Sequence, residues 1–146
     1  MVNALTPGVE FDVHCPLMSL PQRFGTDIDS IPPAARYAVP VNLRAKWTAR
    51  LRTGETAVGL VWAANPSYSN NSARSIPAGL LLPLTQLPGV RCWGLQVGAA
   101  ATESPEGVVN LVDELIDFAE TAAAICALDL VITVDTAVAH PGRVAR

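Results

Sequence analysis

The segment "DFAETAAAICALDLVITVDT" limits what this chain can fold into more than any other. Asp117 stands where a helix N-cap belongs, and Glu120 three residues later makes a capping-box-like pair with it. Phe118, Ala122, Ile125 and Cys126 then share one face at helical spacing. The apolar run Leu130–Val134 follows at once and reads as a buried strand. A helix that delivers the chain into such a strand is half of a βαβ unit, so a parallel sheet is expected.

Three further strands complete that pattern. "TAVGLVWA" (56–63) is an apolar run bounded by Gly54 and Asn65-Pro66, "VRCWGLQV" (90–97) is a second, and "VVNLV" (108–112) is a weaker third. Between the first two, Ile76, Leu80, Leu84 and Leu87 line one helical face, with Ser75 as candidate cap. Pro77 and Pro83 shorten or kink any helix there. Residues 99–107 read as loop or a single turn. The expected fold is α/β, a Rossmann-like parallel sheet with helices on both faces and right-handed connections.

Residues 1–55 differ from residues 56–146, and the two stretches are expected to be separate parts. Pro7, Pro16, Pro21, Pro32, Pro33 and Pro40 exclude a long helix before the forties. Leu43, Trp47 and Leu51 then define one face of a short helix, a connector that packs onto something else. Arg44, Lys46, Arg50 and Arg52 cluster mildly and read as its solvated face.

Composition narrows the function classes. With 146 residues, 50% hydrophobic and 16% charged, the chain holds enough apolar mass for one core and is unlike a disordered segment. A net charge of −3 gives no basic footprint for nucleic acid. Cys15, Cys92 and Cys126 are widely spaced without a paired motif and fit thiols in a reducing cytoplasm. No basic-then-apolar leader is visible, and the most apolar stretch, 119–134, is interrupted by Glu120 and Asp129 and is too short for a membrane span. A soluble, cytoplasmic protein is expected.

Ligands of open parallel sheets bind beyond the carboxyl ends of the strands, which selects three loops. In "NPSYSNNSARS" (65–75), Arg74 is suited to a phosphate; the alternative is a solvated turn rich in Asn and Ser. "QVGAAATES" (96–104) is the second. In "DTAVAH" (135–140) a helix beginning at Thr136 would aim unpaired N–H groups at an anion, with His140 one turn on as a further donor. Asp135 and Thr136 equally serve as a plain cap. His14-Cys15 is a weak metal motif, since only one other His exists and the cysteines are unpaired.

Taken together, "FDVHCPLMSLPQRFGT", "IPPAARY", "GLVWAANP", "RSIP", "LQVGA" and "DFAETAAAICALDLVITVDTAVAH" resemble the glycosyltransferase domain that follows tetratricopeptide repeats in many bacterial proteins. That family is similar to the ADP-heptose:lipopolysaccharide heptosyltransferases and includes the O-linked N-acetylglucosamine transferase type. The resemblance spans residues 11–140 and implies part of a GT-B glycosyltransferase: residues 1–55 as the end of the N-terminal half and the connector, and residues 56–146 as the incomplete C-terminal half, the Rossmann-like domain that binds the nucleotide-sugar donor. Carried over by position, Asn65, Arg74, Gln96, Asp135, Thr136 and His140 are the donor-side residues, with Asp135 accepting hydroxyl hydrogen bonds. The donor is a substrate; no cofactor or metal is implied. A protein or lipopolysaccharide is the implied acceptor of an intact family member.

This chain departs from the family at Ala64, where Gly is usual, at Val97, where a Lys is usual, and beside Asn71, where an Asp is usual. A missing lysine contact to a pyrophosphate costs about 1.5–3 kcal/mol, roughly tenfold to a hundredfold in affinity. After His140 the family continues through a further helix and strand, whereas this chain reads "PGRVAR". Pro141 is expected to end the helix, leaving the last strand with an unpaired edge open to association. A truncated donor domain without turnover of its own is one expectation, and a catalytic residue is not assigned. A non-catalytic interaction module and a degenerate reading frame that folds poorly are the others.

Overall fold

The structure, a computed structural model, describes residues 11–31, 38–67 and 69–142. The chain divides into two compact units, Met1–Pro33 and Ala34–Arg146. In the first, a 3-10 turn at Leu17–Ser19 leads into a single helical turn, α1 (Leu20–Arg23), with Pro21 in its first turn. Asp27 then closes a tight turn. Its carboxylate accepts the Ser30 hydroxyl at 2.7 Å and the Ser30 and Asp29 amides at 2.9 and 3.1 Å, bonds that hold its pKa below the ordinary aspartate range. Pro7, Pro32, Pro33 and most of "IPPAARY" lie outside the described residues.

The second unit opens with α2 (Val41–Leu51), which Pro40 precedes at the N-cap. Four strands follow: β1 (Thr56–Val61), β2 (Val90–Gly94), β3 (Val108–Asn110) and β4 (Leu130–Thr133). Between them lie α3 (Leu82–Thr85), α4 (Phe118–Ala127) and, beyond β4, the single turn α5 (Ala139–Gly142). The sheet has four strands in the order β3-β2-β1-β4, every described pair parallel. It is an α/β architecture compatible with a Rossmann-like fold. The chain moves outward from β1 to β2 to β3, then returns to place β4 on the other side of β1. Register partners Val58↔Leu130 and Thr56↔Val90 bracket β1 with its two neighbours.

Alternation along β1 sends Ala57 and Val61 to one face and Val58 and Leu60 to the other. The first face is covered by α2 and α4, where Trp47, Leu51, Trp93, Leu111 and Ala123 are packed out of solvent. Gly59 belongs to that face and makes room for it: a Cβ there would stand 2.6 Å from Leu128 Cδ1 and 2.9 Å from Leu95 Cδ1. The second face is covered by a 3-10 turn at Ala78–Leu81 and by α3, with Leu81 against Val58, Leu60, Trp62 and Cys92. Pro77 and Pro83 reduce this layer to short turns, as expected. Burial pushes the Cys92 thiol pKa up.

Several local expectations are corrected. Asp117 does cap α4, its Oδ1 accepting the Glu120 amide at 2.8 Å, but the Glu120 side chain does not return to complete a box. It turns to α2, where Lys46 Nζ lies 2.8 Å from Oε1 and Trp47 Nε1 donates to Oε2. The buried residues of α4 are Glu120, Ala122, Ala123, Ala124, Ile125 and Ala127, so Ala122 and Ile125 are buried as expected, while Phe118 is 65% exposed.

The basic residues of α2 are not simply solvated. Arg50 pairs with Glu114 at 3.0 Å and lies over the Trp93 ring at 5.1 Å, and Arg52 is 3.8 Å from Asp129. Ser75 caps no following helix, since Pro77 holds that position. Pro141 sits inside the single turn α5 (Ala139–Gly142), where its missing N–H has no intrahelical partner to lose.

Candidate functional site

The strand order brings the site together. β1 and β4 are neighbours at the point where the strand order reverses, and the crevice beyond the carboxyl ends of such a pair is where open α/β sheets bind ligands. The loop after β1 carries Asn65 and Arg74, and the loop after β4 carries Asp135 and Thr136. Across that crevice, one Arg74 nitrogen, Nη2, donates to Asp135 Oδ2 at 2.8 Å and to the Asp135 carbonyl at 2.9 Å. The Asp135 side chain is 83% exposed and that of Arg74 30%.

The β1 loop is tied at its base. Ile76 N donates to the Trp62 carbonyl at 2.8 Å, and Ala64 N donates to Ser75 Oγ at 3.1 Å. Ser75 Oγ in turn donates to Asn71 Oδ1 at 3.1 Å. Both ends of residues 64–75 are thus cross-linked beside Arg74, which fixes where its guanidinium emerges. Asn65 is engaged within its own turn, its Oδ1 accepting the Ser67 amide at 2.9 Å, and it stays exposed. Tyr68 lies outside the described residues.

Gln96 is only 5% exposed and lies beneath the loops. Its Oε1 accepts the Trp62 and Ala63 amides at 3.1 and 2.9 Å, and its Nε2 donates to the Ala63 and Val97 carbonyls at 3.3 and 3.1 Å. A side chain here takes the place of the next rung of the β1–β2 ladder, just past Leu95 N to Leu60 O at 2.9 Å. Two residues later Gly98, at φ +74°, turns the chain away in a conformation that L side chains rarely adopt.

The β4 loop differs from expectation. No helix starts at Thr136: residues 135–138 form a bend and a turn closed by Ala139 N to Thr136 O at 3.0 Å, and α5 begins only at Ala139. The Thr136 hydroxyl lies 3.2 Å from Thr133 Oγ1, which itself donates to the Val134 carbonyl at 2.8 Å. A ready helix N-terminus is therefore not what this loop offers. His140 is exposed in the single turn of α5.

Of the six residues singled out in the sequence, Arg74 and Asp135 meet directly, Thr136 adjoins them, and Gln96 supports the loop from below. Ser75 and Asn71 belong to the same construction. Ser75 stands out in the sequence only as a candidate cap, because the contact that it makes here joins it to a backbone amide eleven residues earlier. His14 and Cys15 line a shallow cleft of about 600 Å³ in the first unit with Ser19, Arg23 and Phe24. Among the described residues no group of three or more His, Cys, Asp or Glu is placed to hold a metal ion, and no helix is long and apolar enough to cross a membrane. No protein-family model, curated protein or solved structure matches the chain.

Proposed function

We propose that residues 34–146 bind a nucleoside diphosphate group at the β1/β4 crevice, as the donor domain of a glycosyltransferase that moves a sugar from a nucleotide-sugar to an acceptor. The observation that carries this reading is the position of Arg74 and Asp135 at the crevice mouth, a cation and a hydroxyl acceptor on the two loops that follow those strands. Arg74 is suited to the pyrophosphate and Asp135 to sugar or ribose hydroxyls. The motifs shared with tetratricopeptide-associated glycosyltransferases support the transferase class, and an exposed Val97 in place of a lysine is consistent with modest affinity.

Thermal melts of the full chain with millimolar nucleoside diphosphates and nucleotide-sugars test it. A rise in Tm with one nucleotide, lost in Arg74→Gln, is expected; no shift with any of them overturns the reading. A second reading, an interaction module, is favoured by one observation: Leu80, Leu87 and Leu130 are exposed apolar residues of the second unit. Sedimentation over a hundredfold concentration range separates the two, since association would appear only if those residues dock.

A further inference from the structure

We infer that Asp135 is a built-in competitor for the anion that Arg74 receives, so that the site is self-masked until a ligand phosphate takes the carboxylate's place. The inference rests on the reading above and concerns how that site opens. Arg74 Nη2 is held twice by one residue, at 2.8 Å by the Asp135 carboxylate and at 2.9 Å by its carbonyl. The Asp135 carboxylate meets Arg74 through one anionic oxygen, Oδ2, the kind of acceptor a phosphate oxygen also offers. Asp135 is mostly in water, so the pair is easily parted and its carboxylate has solvent to move into. Exposed pairs of this kind hold their partners by a factor of no more than about five.

The two ends of the latch differ in exposure, 30% for the Arg74 side chain and 83% for that of Asp135, which gives the opening a direction. Arg74 stands on a loop whose base is tied by Ser75, Asn71 and Gln96. Asp135 stands on a bend between β4 and α5. Asp135 is therefore the half that yields, and once released its carboxylate is available to a hydroxyl of the ligand. While it stays closed it both occupies Arg74 and repels an approaching anion.

Titration calorimetry of inorganic pyrophosphate into the full chain and its variants decides the matter. Asp135→Asn is expected to bind pyrophosphate roughly two- to fivefold more tightly than the unaltered chain, through loss of the competing charge. Arg74→Gln is expected to lose that binding. Equal or weaker pyrophosphate binding by Asp135→Asn, or no binding by it at all, overturns the mask even if the nucleotide melts succeed. Tighter pyrophosphate binding by Asp135→Asn without any nucleotide effect on the unaltered chain would keep the mask and discard the nucleotide. The side-chain nitrogen resonance of Arg74 gives a second readout in the unaltered chain. It is expected to shift on adding pyrophosphate, and an unmoved signal at saturation counts against the exchange of partners.

Discussion

Glu120 of α4 accepts a hydrogen bond from the indole nitrogen of Trp47 on α2, while its other carboxylate oxygen takes Lys46 Nζ at 2.8 Å. One acidic residue, 7% exposed, thereby joins the connector helix to the helix that precedes β4. Replacing it with alanine leaves the buried Trp47 nitrogen without its acceptor, whereas Lys46 is exposed enough to regain water. Glu120→Ala is expected to lower unfolding stability by about 2 kcal/mol, measured by urea denaturation.

The same group sets an acid limit on stability. The Lys46 hydrogen bond, with Trp47 adding to it against the cost of burial, holds the Glu120 pKa below the ordinary glutamate value. A depressed folded-state pKa contributes stability that is full above the unfolded value and is lost as pH falls through the folded one. The stability gap between the unaltered chain and Glu120→Gln is expected to be constant near neutrality and to shrink as pH drops below the ordinary glutamate range. Melting temperatures of both proteins across that range check it.

Gln96 stabilises β1 beyond its last rung. Gln96→Ala is expected to cost about 1–3 kcal/mol, since two amides inside the site lose their acceptor. Hydrogen exchange at Trp62 and Ala63 should accelerate more than at Val58 or Leu60, whose ladder bonds do not involve this side chain.

Gly59 is set by space. Its replacement by alanine brings a methyl group against Leu128 and Leu95 in the better-covered layer, an overpacking expected to cost about 1–3 kcal/mol. Combining Gly59→Ala with Leu128→Ala should recover part of what the first change alone removes from Tm.

Much of this was legible along the chain because it is periodic. The four strands, the Asp117 cap and the Trp47–Leu51 face follow from spacing and from residues that interact within one or two turns. What escaped a linear reading are contacts between distant residues. Arg74 and Asp135 were each recognisable as ligand-binding types, but not as partners of one another across 61 positions. The resemblance places Gln96 on the donor side, and no linear pattern announces that its amide also holds the backbone of Trp62, Ala63 and Val97. Glu120 read as the capping-box partner of Asp117 because the indole that it accepts from is 73 residues away. The start of α5 was misplaced because Asp-Thr at a strand end suits a bend as well as a cap.

The sheet's two coverings also give the protein its own optical probes. Trp47 and Trp93 lie in the layer of α2 and α4, and Trp62 lies in the layer of proline-bounded turns; the chain has three tryptophans in all. Emission from Trp62 therefore reports the thin side of the sheet, while emission from the other two reports the side clamped by Glu120. Keeping one tryptophan at a time lets the two layers be watched separately, and shows which of them loosens first when the molecule is warmed.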